Sequence, residues 1–500
     1  MPQRLHRLLP ALLGLALGVL ALGPALGPGF VLRYDMVFVP DPPLRAEPGG
    51  AFPRAVPSDQ VVALLSAVLP AEAVQKLILL GVFVLAASGA AALVPGGRTG
   101  PRLVAAACYA WNAYLAQRLL LGHWALLLGY AGLPWAVRAA ARGGVPRLLL
   151  ALLPAAAGGF KAMLITALAV LPVSALAGAR RLATAGGAIA LFSLPWLIPA
   201  LRATAETDPA GVAAFAPRAD GPFGTLGSLL MLGGVWNAEA EVPGQGWWAI
   251  ATVRLVVTAV ALAGFAGTVR AGWPAARGLG LAAAAGLLIA CTGAFAPGAL
   301  RTLIEWWAGF GTLRDGQLFI APLALAEALG LAAAASRLGR MAVAVAAVPV
   351  LVLPTFALGA FGRLAAVEYP AEWRTVQRIV NRDPAPGALV SLPWGAYRAF
   401  EWNGGRVVLD PATKLFARRV LWDDTLIVGT AEGPIRVAPE DPEARRIGAL
   451  LARGGPLTAA LRDAGVRYVL VAGLDKNRFL SQVPGARVAW SGEELLLLRL

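Results

Sequence analysis

The sequence has few histidines, cysteines and charged residues, and each scarcity argues against a class of chemistry. Only two histidines occur in 500 residues, His6 and His123, and both cysteines, Cys108 and Cys291, lie inside apolar runs. We therefore expect neither a zinc or haem site built from these residues nor a disulfide. His6 belongs to the basic N-terminal tail, so His123 is the only candidate histidine for a catalytic triad. Hydrolysis by a Ser-His-Asp triad is therefore a weak hypothesis for the function of this chain.

Charged residues make up only 14% of the chain, whereas 58% of the residues are hydrophobic. Ordinary soluble domains carry about a quarter charged residues. The formal net charge is +15, but the basic residues are spread between apolar runs and form no cluster that could follow a nucleic-acid backbone. Attachment to an anionic leaflet accounts for them better. The composition therefore predicts a membrane protein that contacts lipids and has no nucleic-acid partner.

Eleven apolar runs are candidates for membrane-spanning helices, which need about 20 residues each. They lie approximately at 8–30, 72–95, 103–118, 122–138, 147–158, 162–179, 183–201, 248–269, 278–296, 317–336 and 341–362. The run 147–158 and the next one are separated by three residues and could instead form one broken or re-entrant hairpin. Residues 1–29 could pass for a secretory signal, but no convincing cleavage site follows, which favours an uncleaved first helix.

Every second gap between these apolar runs contains arginine residues and no aspartate or glutamate. The thirteen arginines are Arg4, Arg7, Arg98, Arg102, Arg138, Arg142, Arg147, Arg180, Arg181, Arg270, Arg277, Arg337 and Arg340. Because cytoplasmic loops are enriched in basic residues, this pattern predicts a cytoplasmic N-terminus and, after eleven spans, a C-terminus outside. Only four of the 43 basic residues are lysine, and the chain is rich in alanine and glycine. This bias indicates a GC-rich bacterial genome, so the expected location is the bacterial inner membrane.

Two parts are predicted: a helical transmembrane bundle over 1–365 and a soluble α/β domain over 366–500 on the outer face. The bundle has long outer loops at 32–71, 202–247 and 297–316, and a surface helix is expected over 59–69. From Glu368 onward the chain holds 15 of its 28 acids. Helical patterns there cover 371–381, 442–453 and 457–464, and β-type runs cover 389–392, 406–409, 468–471, 487–490 and 495–498.

The first acidic residue of the chain, Asp35, directly follows the first apolar run and is flanked by apolar residues. A carboxylate in such surroundings is poorly solvated, so we expect its pKa to rise toward that of a useful general base. Asp35 is therefore the first candidate for a catalytic residue, and Asp41 is the second. The alternative is an interfacial carboxylate paired with Arg33 or Arg45.

A group of polar and amphipathic side chains, from Trp111 to Arg118 and then His123, lies at the outer end of a predicted hairpin. Such side chains are costly in lipid and should face the bundle interior or a wet cavity. The planar guanidinium of Arg118 suits phosphate oxygens, so Arg118 and His123 are candidates for substrate binding. The alternative is an aromatic belt with an arginine that reaches the headgroups.

Three further charged residues are candidates for binding an anionic substrate. Lys161 stands alone between two apolar runs and either reaches the headgroups or meets an anionic lipid. Arg314 and Asp315 precede a predicted span, where they could pair with each other or steady a phosphate. Glu327 lies inside that span and should be protonated or partnered, for instance by Arg254.

Other patterns have plainer explanations. The glycine-rich segment 96–100 lacks the Gly-Lys-Ser/Thr ending of a phosphate loop and is read as a turn. Asp423 and Asp424 could bind a cation, but a solvated turn is favoured. Four aromatic residues close in sequence could stack on sugars, form the core of the C-terminal domain or dock it on the bundle, and a core role is favoured. They are Trp394, Tyr397, Phe400 and Trp402.

Ten or more helices, an acid early in the first outer loop, a surface helix after it and an outer C-terminal domain together resemble the GT-C fold of integral-membrane glycosyltransferases. The layout is also similar to uncharacterised actinobacterial membrane proteins of the YfhO-like group. GT-C enzymes take a sugar from a polyprenyl-phosphate lipid. The resemblance implies such a donor, an envelope glycan, lipid or protein acceptor, and Asp35 in the family's acidic position. It implies no organic cofactor. Some branches use a divalent metal, but the loop lacks their adjacent Asp-Asp, Asp-x-Asp or Glu-x-Asp pair.

Two other functions fit a helical membrane protein. A lipid or glycan transporter predicts internal repeats and paired ionisable residues at the bilayer midplane. The sequence shows no such repeat, and Glu327 is the only acid in the middle of a predicted span. A non-enzymatic envelope-assembly protein, with the outer domain as its binding module, would share the same layout, and the sequence leaves this alternative open.

Overall fold

The computed structural model describes residues 2–45, 52–430, 433–473 and 476–500. Residues 46–51, from the proline- and glycine-rich front half of the first predicted outer loop, lie outside the described residues. The helices before residue 365 are α1 (Pro2–Leu22), α2 (Ser58–Ser66), α3 (Ala71–Leu93), α4 (Thr99–Ala110), α5 (Ala113–Leu120), α6 (Trp124–Arg142), α7 (Val145–Gly158), α8 (Phe160–Leu176), α9 (Ala179–Arg202), α10 (Gly211–Ala214), α11 (Gly224–Leu230), α12 (Trp248–Arg270), α13 (Ala276–Phe295), α14 (Pro297–Trp306), α15 (Ala321–Ala335), α16 (Ala342–Val345), α17 (Val348–Val352) and α18 (Ala357–Gly362).

Six helical segments in the described part of the chain are long and apolar enough to cross a membrane. They are His6–Leu26, Ala71–Leu93, Ala179–Arg202, Trp248–Arg270, Ala276–Phe295 and Gly316–Val345. Two shorter apolar helices, α7 and α8, are separated only by Gly159, whose φ is +76°. A side chain at this glycine would lie 2.5 Å from the carbonyl oxygen of Val56. The broken hairpin considered from the sequence is thus present.

The run 103–118, which the sequence predicts as one span, is divided into α4 and α5. The helix breaks at Trp111 and Asn112, and the Asn112 side chain accepts a hydrogen bond from the backbone N–H of Leu115 at 3.0 Å. Asparagine favours this N-cap position because its oxygen satisfies an otherwise unpaired N–H group. Every residue of α5 is buried, so the break places this short helix, with its Gln117 and Arg118 side chains, inside the bundle.

The run 341–362 is also not one continuous helix, contrary to the prediction. It forms α16, α17 and α18, and Pro349 and Pro354 start new turns because proline lacks the N–H group that would continue the preceding helix. In α18 the backbone from Leu358 to Phe361 has positive φ, so this turn is left-handed. An apolar composition predicted a span here, but the prolines decide its local structure.

The C-terminal part, residues 366–500, contains a mixed five-stranded sheet. The strands of the chain are β1 (Phe30–Val31), β2 (Ala366–Val367), β3 (Ala388–Leu392), β4 (Tyr397–Ala399), β5 (Val407–Leu409), β6 (Val420–Leu421), β7 (Leu426–Thr430), β8 (Gly433–Val437), β9 (Val466–Ala472), β10 (Arg487–Ser491) and β11 (Leu495–Arg499). The sheet order is β10-β11-β9-β3-β6, and β3 runs parallel to both β6 and β9. The remaining helices are α19 (Ala371–Arg382), α20 (Ala412–Leu415), α21 (Pro442–Arg453), α22 (Thr458–Asp463) and α23 (Lys476–Gln482).

The five strands and three helices predicted for this part are all present, with ends that differ by two residues at most. These elements could be recognised from the sequence because successive side chains of a strand face opposite sides of the sheet, as in β3. Val390 and Leu392 belong to the apolar cluster that contains Ile447 of α21, whereas Leu389 belongs to the cluster that contains Trp373 of α19. Each face of the sheet is therefore buried by different helices, as a period of two requires.

The C-terminal part packs against the segment between α1 and α2. Strands β1 and β2 pair antiparallel. The hydroxyl of Tyr369 donates to the carbonyl oxygen of Phe38 at 3.0 Å, and Gln377 donates to that of Pro40 at 2.7 Å. Segment 30–41 is thereby held between the helical bundle and the C-terminal sheet.

Trp373 lies at the centre of this packing and is 0% exposed, with the rings of Tyr369, Phe400 and Trp402 around it at centroid distances of 5.5–6.1 Å. We predict that Trp373→Ala lowers the free energy of unfolding by about 3–5 kcal/mol, because the substitution leaves a large cavity. Denaturant unfolding of the purified protein in detergent measures this loss. Trp247→Ala is the control, since Trp247 is 71% exposed, and equal losses in the two variants would contradict the packing described.

Candidate functional site

A buried arginine organises the cluster of charged residues beside the first loop. Arg118, on α5, is 0% exposed. Its two terminal nitrogens donate to the two carboxylate oxygens of Asp315 at 2.7 and 2.8 Å, and its Nε donates to the side-chain oxygen of Gln317 at 2.8 Å. This two-pronged contact matches the planar fork of arginine to a carboxylate. The interior charge of Arg118 is thereby compensated.

His123, just before α6, connects this ion pair to Asp35. Its Nδ1 lies 3.2 Å from the Arg118 Nη1, and its Nε2 lies 3.2 Å from the Asp35 Oδ2. Because a guanidinium only donates, we infer that Nδ1 accepts and that Nε2 carries the proton it donates to Asp35. Gly122 permits the close approach: its φ is +79°, and a side chain there would lie 2.1 Å from the backbone nitrogen of Met36.

The carboxylate of Asp35 is held on both oxygens but stays partly open. The hydroxyl of Tyr397, on β4, donates to Oδ1 at 2.7 Å, while His123 lies at Oδ2. The Asp35 side chain is 41% exposed. Burial acts to raise the pKa of Asp35, but the hydrogen bond from His123, the nearby charge of Lys161 and the Tyr397 hydroxyl outweigh it and lower the pKa to about 2. The predicted upward shift is therefore wrong, since donors from distant parts of the chain stabilise the charged form.

Lys161, in the first turn of α8, completes the cluster. Its ammonium nitrogen lies 4.0 Å from an Asp315 oxygen, and its side chain is 41% exposed. Asp315 already accepts the two short hydrogen bonds from Arg118, and the same cations lower its pKa. Lys161 is therefore the cation of this cluster with the weaker ion pair and the greater access to solvent.

Arg314 lies apart from this group. Its Nη2 donates to Glu440 at 2.7 Å, and its guanidinium lies 5.0 Å from the centre of the Phe215 ring. The Arg314–Asp315 pair considered from the sequence does not form, because Asp315 binds Arg118. Asp41 is also separate. It is exposed at a turn with φ of +46°, and its backbone oxygen accepts from Gln377 at 3.1 Å. Of the seven predicted site residues, five lie together in one cluster in the structure: Asp35, Arg118, His123, Lys161 and Asp315.

Sequence reasoning missed two contributors to the cluster. The sequence groups Tyr397 with aromatic residues for which a core role is favoured, and no local pattern sets it apart from them. Phe400 and Trp402 do pack in the core, whereas the Tyr397 hydroxyl reaches Asp35 across 362 positions of sequence. Gln317 begins a predicted span, no feature of the sequence marks it as a partner of Arg118, and its contact with Arg118 spans 199 positions.

The remaining candidates have structural roles in the described residues. Arg254 donates to the backbone oxygens of Gln245 and Met231 at 3.1 and 2.9 Å, so the proposed ion pair with Glu327 does not form. Asp423 accepts from the backbone N–H of Thr425 at 2.9 Å, and Asp424 accepts from two backbone N–H groups at 2.9 and 3.0 Å. Both carboxylates thus lie in hydrogen-bonded turns, but each residue is half-buried and burial raises the pKa of Asp424, so the turn is not solvated as predicted.

A divalent metal would need several free oxygen or nitrogen ligands from the cluster. Its carboxylates are both engaged by N–H or O–H donors, and across the described ranges no three or more His, Cys, Asp or Glu side chains are grouped to hold a metal ion. The side chains present therefore do not fit a metal held by the protein alone.

An apolar groove of about 340 Å³ opens between α2, α3 and α6. It is lined by Leu65, Leu69, Val74, Leu77, Ile78, Gly81, Leu85 and Leu128. Leu128 follows His123 by five positions, which is about 7.5 Å along a helix. The groove thus lies along the same helix as His123, about 140° around the helix axis from it, and its aliphatic lining suits a hydrocarbon chain.

The described fold resembles that of arabinofuranosyltransferase AftD from mycobacteria, whose structure was determined by single-particle cryo-electron microscopy. The TM-score is 0.56 at 17% sequence identity, over 99% of this chain. The chain spans 39% of the length of that protein. No protein-family model and no curated protein matches the sequence. At this identity the likeness concerns the fold, and with the apolar helices it makes this chain a polytopic helical membrane protein.

The buried ion pair generates a stability prediction. Asp315→Asn leaves the Arg118 charge without its counter-ion, so we expect the free energy of unfolding to fall by about 3–5 kcal/mol. Thermal or denaturant unfolding in detergent measures the change. Asp41→Asn is the matched control, because Asp41 is exposed and outside the cluster. Similar stabilities of the two variants would show that the pair is not needed by the fold.

Proposed function

We propose that the chain is a membrane glycosyltransferase that moves a sugar from a polyprenyl-phosphate donor to an envelope glycan, lipid or protein acceptor. The reaction takes place at the outer face of a bacterial inner membrane, with the N-terminus in the cytoplasm and the C-terminal part outside. One observation carries the proposal: the half-exposed side chains of Asp35 and Lys161, one acidic and one basic, belong to one otherwise buried cluster. The narrower similarity to YfhO-like proteins stays a prediction.

Asp35 is the group suited to the acceptor. It is ionised at neutral pH, since its pKa is about 2, and His123 and Tyr397 fix its orientation. A carboxylate of low pKa is a weak base toward a free hydroxyl group. It can orient the hydroxyl and take its proton late, when bond formation to the sugar has made that proton acidic. Orientation then contributes more to the rate than basicity does.

Lys161 is the cation best suited to the leaving phosphate. Arg118 is fully buried and bound to Asp315, and Arg314 is bound to Glu440. Negative charge grows on the phosphate as the bond to the sugar breaks, and a fixed cation stabilises that charge. Arg118, Asp315 and His123 then act as supports that position the two exposed groups.

The apolar groove supports a lipid-linked donor. Its lining is almost entirely aliphatic, and α2 beside it presents the exposed apolar side chains of Leu64 and Leu65. A helix with such a face rests favourably at a membrane surface. The tail of a polyprenyl phosphate lying in the groove would place its phosphate toward the start of α6, near His123. The C-terminal part would hold the acceptor or cover the site.

The test of the carboxylate is a transfer assay with purified protein and polyprenyl-phosphate-linked sugars. We expect Asp35→Asn to lower kcat by roughly 100- to 10,000-fold, the usual contribution of a positioned base. Asp41→Asn should keep wild-type activity. Equal activity of Asp35→Asn and the wild type would remove the proposed base. Because Asp35 stays ionised far below neutrality, its protonation should cause no loss of activity between pH 5 and 8.

The test of the cation uses the same assay. Lys161→Met should lower kcat/KM for the donor by roughly 10- to 100-fold, because a charged contact with phosphate is lost. Lys161→Arg should retain part of the activity. Lys76→Met is the control, since Lys76 donates to the backbone oxygen of Gly29 and lies outside the cluster. An unchanged kcat/KM in Lys161→Met would assign the phosphate to another group.

A further inference from the structure

Strands β4 and β5 of the C-terminal part form a hairpin that contacts the loop carrying Asp35. We infer that this hairpin is a component of the active site and that Tyr397 is a positioning residue, which holds the Asp35 carboxylate in the orientation used for transfer. The effect of Tyr397 on catalysis rests on the proposed function, whereas the hydrogen bond between Tyr397 and Asp35 does not. The C-terminal part is then needed for chemistry and is more than a binding module.

The backbone beside Asp35 is bound directly to the hairpin. The N–H of Tyr34 donates to the carbonyl oxygen of Val407 at 2.7 Å, and the N–H of Leu409 donates to that of Tyr34 at 2.9 Å. On the other side, the N–H of Asp35 donates to the carbonyl oxygen of Leu121, in the α5–α6 turn, at 3.1 Å. Two consecutive residues of the loop are thus fixed by different parts of the protein.

The side chain of Asp35 is likewise bound by both the C-terminal part and the bundle. Tyr397 pairs with Leu409 in the hairpin register, which places its hydroxyl 2.7 Å from the Oδ1 of Asp35. The rings of Tyr34 and Tyr397 pack edge to face with centroids 6.0 Å apart. His123, from the bundle, holds the other oxygen of Asp35. Both carboxylate oxygens therefore have a fixed donor only while the hairpin is docked.

The hairpin is itself anchored to the sheet by a buried polar network. Asp410, which follows β5, is 1% exposed and accepts hydrogen bonds from Ser391 at 2.6 Å and from Arg398 at 2.8 Å. Ser391 lies on β3, an interior strand of the sheet, and Arg398 follows Tyr397 directly on β4. A buried charge that satisfies its hydrogen bonds in this way specifies one geometry. The position of the Tyr397 hydroxyl is therefore set by the sheet rather than by a loose loop.

The functional test is Tyr397→Phe in the full-length protein. We expect kcat for sugar transfer to fall about 10-fold or more, because the carboxylate loses one of its two fixed donors. The donor KM should change less than about twofold, since Lys161 and the groove are untouched. The matched control is Tyr34→Phe, which removes the hydroxyl of the neighbouring ring, a group with no hydrogen bond to the described residues. Wild-type kcat in Tyr397→Phe would overturn the inference.

A spectroscopic test reports on the contact without any activity. Tyr397→3-fluorotyrosine places one fluorine beside the phenol, so the chemical shift of its ¹⁹F resonance depends on the hydrogen bond of that phenol. We expect this resonance to move when Asp35→Asn is added and to stay in place when Asp41→Asn is added. No movement with Asp35→Asn would overturn the inference, even if the protein transfers sugar.

The two tests separate the inference from the proposed function. If the resonance responds to Asp35→Asn but the wild-type protein transfers no sugar, the contact stands and the proposed function fails. If Asp35→Asn abolishes transfer while Tyr397→Phe keeps full kcat, the proposed function stands and the positioning role fails. Unfolding of Tyr397→Phe at the wild-type temperature shows that a lower kcat does not reflect loss of the fold.

Discussion

The buried contact between Arg118 and Asp315 is the constraint on which the candidate site depends. A fully buried guanidinium is tolerated in a helical bundle only when a counter-ion and hydrogen-bond acceptors surround it. Asp315, Gln317 and the Nδ1 of His123 meet that need. Because His123 must accept from Arg118, its other nitrogen is left to donate to Asp35. One ion pair inside the bundle therefore determines the orientation of the open carboxylate near its surface.

The site is assembled from both parts of the chain. The bundle supplies Arg118, His123 and Lys161, and the C-terminal part supplies Tyr397. The loop that carries Asp35 lies between them and is bound by backbone hydrogen bonds on both sides. The half-exposed side chains of Lys161 and Asp35 therefore lie beside buried polar groups, of which Arg118 and Asp315 satisfy each other. Such preorganised charge suits the proposed transfer, in which a phosphate leaving group gains negative charge.

Several features could be predicted because their causes are local. The alternation of apolar residues identified β3 and its neighbours, and the first acid after the first apolar run identified Asp35. Other features have distant causes. The helix break at Asn112 depends on its N-cap hydrogen bond, which the surrounding apolar run does not reveal. The low pKa of Asp35 depends on donors that lie 88 and 362 positions away in the sequence. Burial alone predicted the opposite shift, because the sequence does not show which donors fold onto a carboxylate.

By itself, the sequence determined that the chain is a helical membrane protein with a C-terminal α/β part, since hydrophobic length and periodicity are properties of short segments. It also marked Asp35, Arg118, His123, Lys161 and Asp315 as unusual, because polar groups beside apolar runs are costly. Only the tertiary structure decided which of them meet, and it separated Arg314 and Asp41 from the cluster and brought Tyr397 into it. Ion pairs and hydrogen bonds depend on distances of about 3 Å, and only the packing of the whole chain sets such distances.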